Sequence, residues 1–75
     1  MSKVPSLPAR KFIRVLKKFG FVLHRVSGSH HIFIRKSDQL SVSVPAHAGH
    51  DLGKGLMLSF LKDAGISLEE FLKLL

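Results

Sequence analysis

Five histidines are the side chains of this 75-residue sequence that change charge near neutral pH without help from their surroundings. Two of them close a glycine-bearing turn, Gly28-Ser29-His30-His31. Gly28 allows the backbone to come close to a ligand, Ser29 offers a hydroxyl and an amide, and an imidazole follows at once. Cleaving a phosphodiester needs few groups. A base takes a proton from the attacking 2′-hydroxyl or water, an acid protonates the leaving oxygen, and donors stabilise the charge on phosphorus. The plainer alternative is that both histidines are ordinary residues at a strand edge, and spacing alone leaves the two readings open.

His47 and His50 flank a small-residue loop that runs into Asp51. A metal site there would want three protein ligands at a recognised spacing, which this segment lacks, so neither a metal nor any other cofactor is expected. A phosphate contact near a helix start suits His47 better, because free amides and the helix dipole favour anions. Lys54 falls in the first turn of the same predicted helix, where the dipole prefers acidic residues. A bound phosphate would account for it, and so would a solvated lysine. His24 sits mid-strand and reads as structural. The acidic residues form no carboxylate pair, no Gly-rich nucleotide loop is present, and the absence of cysteine excludes disulfides and thiolate chemistry. Glycosidase and kinase readings fall away with them.

The elements that would carry these groups follow from periodicity. Residues 1–5 form a leader, and Ser6 is placed as the N-cap of a helix with Pro8 in its first turn. Ala9, Phe12, Ile13, Leu16 and Phe19 make its apolar stripe, and Gly20 ends it. Arg10, Lys11, Arg14, Lys17 and Lys18 give that helix a basic side. Strands are predicted over 21–26, 31–35 and 40–44, the last with strict alternation stopped by Pro45. Asp51 is placed to cap a second helix with Leu52, Leu56, Met57, Phe60 and Leu61 on its apolar face, ending at Gly65. Ser67 and Glu70 have the capping-box spacing for a short last helix with Leu68, Phe71, Leu72 and Leu75 inward. The expected class is α+β, a single domain over 1–75 with helices covering one face of a three-stranded antiparallel meander.

Twelve basic residues against five acidic ones give a net charge of +7 and a field that draws polyanions. RNA is the first partner this suggests, and an acidic protein the second. No apolar run is long enough to cross a bilayer, and no secretion signal is evident, so a cytoplasmic protein is expected.

Read together and in order, several segments resemble the HicA (YcfA-like) family of toxins. They are Phe19-Gly20-Phe21, Gly28-Ser29-His30-His31-Ile32-Phe33, Val42-Ser43-Val44-Pro45, His47, Asp51-Leu52-Gly53-Lys54-Gly55 and Leu61-Lys62-Asp63-Ala64-Gly65-Ile66. The resemblance implies a fold like the double-stranded-RNA-binding domain and metal-independent cleavage of RNA, chiefly mRNA. It also implies silencing by a HicB-type antitoxin. The family's catalytic histidine maps to His30, with His31 in reserve, while Gly28, Ser29, His47, Lys54 and the cations of the first helix would meet RNA. Ile32 and Ile34 share parity with His30, which predicts His30 on the core side and favours His31, so the choice stays open. Two other outcomes are compatible with the sequence: an RNA-binding module of this fold without catalysis, and a basic protein serving only an acidic partner.

Overall fold

The structure, a computed structural model, describes residues 6–45 and 51–75. The expected leader and the loop with His47 and His50 lie outside the described residues. The chain runs β1 (Leu7–Pro8), α1 (Ala9–Lys18), β2 (Val22–Ser27), β3 (His30–Arg35), β4 (Leu40–Pro45), β5 (Asp51–Leu52), α2 (Lys54–Ala64) and α3 (Leu68–Leu74). It is an α+β fold in which a helix, three antiparallel strands in the order β2-β3-β4 and C-terminal helices follow one another.

Alternation in β4 works as its sequence suggests. Val42 and Val44 are buried, while Ser41 and Ser43 are exposed. Across the ladder Val42 pairs with Phe33 and Val44 with His31. Phe33 is fully buried, so it is Phe33, not the flanking isoleucines, that marks the helix-covered face of β3. All three helices pack there: Phe12 of α1, Met57 and Phe60 of α2 and Phe71 of α3 join Phe33 and Val42 in one core. The Phe12 ring lies 5.7 Å from that of Phe60 and 5.4 Å from that of Phe71, spacings at which tilted aromatic pairs attract beyond their area burial.

Both long helices stop in the same way. The amide of Phe21 donates to the Leu16 carbonyl at 3.2 Å, and that of Ile66 to the Leu61 carbonyl at 2.9 Å. Gly20 and Gly65 supply the left-handed residue that such endings need, at φ 93° and 68°. The next residues, Phe21 and Ile66, are buried and tie each helix end to the core.

Several local expectations are corrected. Leu7-Pro8 is not the opening of a helix; it pairs antiparallel with Asp51-Leu52, so α1 begins two residues late with Pro8 at its N-cap. Ser6 therefore caps nothing, and its hydroxyl donates to the Leu52 carbonyl at 3.4 Å. Asp51 likewise belongs to the ribbon, and Gly53 takes the N-cap position of α2. With the helix start moved, Leu52 reaches the core from a strand, and Leu56 turns outward. Leu75, expected inward, is exposed as well. The capping box of α3 forms as read: Glu70 N–H donates to Ser67 Oγ at 3.1 Å, and Ser67 N–H to Glu70 Oε1 at 3.2 Å.

Candidate functional site

The β2–β3 hairpin places the histidine turn at one end of the sheet. Ser27 and His30 are register partners, leaving Gly28-Ser29 as a two-residue turn. Gly28 has φ 59°, a value that suits glycine in the first position of such a hairpin. A Cβ there would meet nothing within 4 Å, so conformation, not crowding, selects glycine.

His30 and His31 point to opposite faces. His31 shares the face of Phe33 and is half-buried; its Nδ1 is enclosed and has no hydrogen-bond partner among the described residues. His30 is exposed on the other face, the one the helices leave open. The parity expectation is therefore reversed. The isoleucines Ile32 and Ile34 are half-buried on the open face, because the bulky Phe33 has taken the core position between them.

Arg25 joins His30 on this open face, and sequence reasoning missed it. The ladder between β2 and β3 slips at His24: Leu23 pairs with Phe33, but Arg25 pairs with Ile32. His24 is thus the extra residue of a bulge, and the shift sends Arg25 to the open side, two positions from Ser27, the partner of His30. Simple alternation would have grouped Arg25 with Leu23. Nothing in the sequence alone signals the bulge. Arg25 is exposed, as are Ser27 and Ser43 of the same face.

The helices converge on the same end of the sheet from the other side. Arg35, at the far end of β3, donates to the Phe19 carbonyl at 3.0 Å and the Ala64 carbonyl at 3.1 Å. The C-termini of α1 and α2 therefore lie together at that end, and both N-termini lie toward the histidine end. The β1–β5 ribbon joins those N-termini directly. Neither has a side-chain cap or an acidic residue in its first turn. Arg10, Lys11 and Lys54 occupy those turns instead, all exposed. Unpaired amides, dipoles and cations of one sign make this end favourable to an anion.

The remaining cations of α1 do not converge on the turn, because Lys17 and Lys18 lie in its last turn, beside Phe19. Arg10 and Lys11 lie on the helix layer, with His31 and not with His30. Among the described residues no three potential metal ligands stand together, and no helix is long and apolar enough to cross a membrane.

These features define a small, basic α+β domain with the histidine hairpin, Arg25 and the first-turn cations of two helices toward one end of a thin sheet. The family is identifiable from the chain itself: residues 9–66 match the model described as the HicA toxin of bacterial toxin–antitoxin systems, and the protein belongs to that family. A search of curated proteins finds no match. Membership makes it a toxin of a toxin–antitoxin system, a class that pairs with an antitoxin.

Proposed function

We propose that this toxin is a metal-independent endoribonuclease acting on mRNA in the cytoplasm, with His30 as the proton-transfer group and a HicB-type antitoxin as its silencer. The observation that carries the reading is the exposed His30 ring at the hairpin end, with Arg25 on the same open face. An imidazole that moves a proton must reach its substrate, and a guanidinium nearby favours a phosphate by charge and by bidentate hydrogen bonding. In the proposed step His30 removes the 2′-hydroxyl proton, the oxygen attacks phosphorus, and the bond from phosphorus to the 5′-oxygen breaks as that oxygen takes a proton from water. The products are a 2′,3′-cyclic phosphate and a 5′-hydroxyl. Gly28 and Ser29 shape the turn, Lys54 and Arg10 hold the RNA strand where it rounds the sheet end, and His47 adds a contact to it.

A second assignment, His31, is favoured by a different observation. Its ring stands on the helix side, toward the end where Arg10, Lys11 and Lys54 gather, and its enclosed Nδ1 leaves Nε2 as the working nitrogen.

The test is cleavage of a labelled RNA by purified protein in excess EDTA, comparing wild type with His30→Ala and His31→Ala. Loss of at least about a hundredfold in His30→Ala, with His31→Ala retaining most activity, is expected. The opposite pattern moves the role to His31. Cleavage by neither the wild type nor the variants would leave an RNA-binding module or a basic protein serving only an acidic partner.

A further inference from the structure

On a helical wheel at 100° per residue the cations of α1 divide into two flanks. Arg10 and Lys17 lie on one side of the buried stripe, with Ile13. Lys11, Arg14 and Lys18 lie on the other, beside Val15. The second flank borders a groove of about 370 Å³ lined by Leu7, Lys11, Arg14, Val15, Lys18, Leu74 and Leu75. Its floor is apolar, since Leu7 and Val15 are buried beneath it, and Leu74 and Leu75 form an exposed apolar wall. Lys18 Nζ donates to the Leu74 carbonyl at 3.0 Å and ties that wall to α1. No lining residue bears an acidic side chain. Among the described residues none of the three cations meets a carboxylate, the one ion pair being Arg35–Asp38.

We infer that this groove is a docking site for an acidic, leucine-bearing helical segment of a partner protein. The chemistry selects that occupant over RNA. Four aliphatic side chains offer nothing for a base to stack on or for its edges to hydrogen-bond, and phosphates gain nothing from an apolar floor. A segment with carboxylates set beside apolar residues at three- and four-residue spacing matches both parts: its apolar side chains cover Leu74, Leu75 and the floor, and its carboxylates meet a rim of three cations. The groove lies on the helix layer, away from the open face that carries His30. The inference depends on the toxin–antitoxin reading only for which protein supplies the segment, and it makes the antitoxin grip the toxin at a second place besides the histidine turn.

The test titrates isotopically labelled protein with a helical peptide of about sixteen residues bearing glutamate and leucine at those spacings, followed by amide chemical shifts. The largest shifts are expected at residues 11–18 and 74–75. Lys11→Glu combined with Arg14→Glu, both at exposed positions, should weaken binding at least about tenfold. Leu74→Ser should weaken it as well, and the same peptide with its leucines replaced by serine should bind at least about tenfold more weakly. A single-stranded RNA should not displace the peptide. Shifts centred elsewhere, no binding at about 1 mM peptide, or displacement by RNA would overturn the inference, the last by making the groove part of the RNA path. Failure of the wild type to cleave RNA would remove the ribonuclease reading and leave these outcomes unchanged.

Discussion

Arg35 and Asp38 meet at 2.7 Å across the β3–β4 turn, and the pair locks the end of the molecule opposite the histidines. The guanidinium also donates to the last carbonyls of two helices, at Phe19 and Ala64, and lies 4.7 Å over the Phe21 ring. One side chain thereby satisfies the negative ends of both helix dipoles and holds those ends together. Replacing Arg35 with alanine should cost about 2–4 kcal/mol, from charge-assisted bonds lost and part-buried carbonyls left unpaired. Lysine should recover only part of that, because a single ammonium cannot span the three acceptors. Urea denaturation of the two variants checks the order.

The same contact makes stability depend on acid. Hydrogen bonding to the Arg35 guanidinium holds the Asp38 carboxyl below its ordinary value, and hydrogen bonds from the Ser67 backbone and hydroxyl do the same for Glu70. Each group binds its proton more weakly folded than unfolded. The stabilisation is therefore complete above the unfolded value and is lost as pH falls through the folded one. Thermal unfolding followed downward from about pH 6 should show a falling melting temperature. Asp38→Asn and Glu70→Gln should each begin lower and flatten that slope.

Gly65 is a glycine that the fold tolerates poorly in changed form. It stands at φ 68°, and a Cβ would come within 3.2 Å of Leu40 Cδ1. Gly65→Ala should destabilise by about 1–2 kcal/mol through backbone strain, with a further increment if Leu40 cannot yield. Gly28→Ala meets strain without crowding, so its stability loss should be smaller. Chemical denaturation of both variants separates strain from contact.

Much of this architecture is legible in the residues. The stripe Ala9-Phe12-Leu16, the alternation Leu40-Val42-Val44 and the Ser67/Glu70 spacing each report a local preference that the fold obeys, since one short element decides each. The misreadings share a cause: each depends on a partner distant in sequence. Leu7-Pro8 is a strand only because Asp51-Leu52 lies beside it, and that pairing moves both helix starts. The parity of β3 could not be settled while Ile32, Phe33 and Ile34 were all apolar; the position opposite Val42 settles it. At the candidate site the histidine turn was visible from its spacing, whereas the placement of Arg25 was not, because a bulge is a relation between two strands.

Arg25 is where that hidden relation has a functional consequence under the ribonuclease reading. If it contacts the phosphate at which the 2′-oxygen attacks, Arg25→Gln should weaken RNA binding and lower the dependence of log affinity on log salt by about one unit, the signature of one lost phosphate contact. Arg25→Lys should restore much of the binding but less of the cleavage, since a point charge cannot make the bidentate contact that orients the phosphate. Folding stability should be unchanged in both variants, because Arg25 is exposed on an edge strand. The neighbouring His24→Ala, at the bulge itself, should leave the salt slope alone. Fluorescence anisotropy across a salt series, with cleavage rates on the same preparations, distinguishes a guanidinium that serves the reaction from one that only adds to the basic surface.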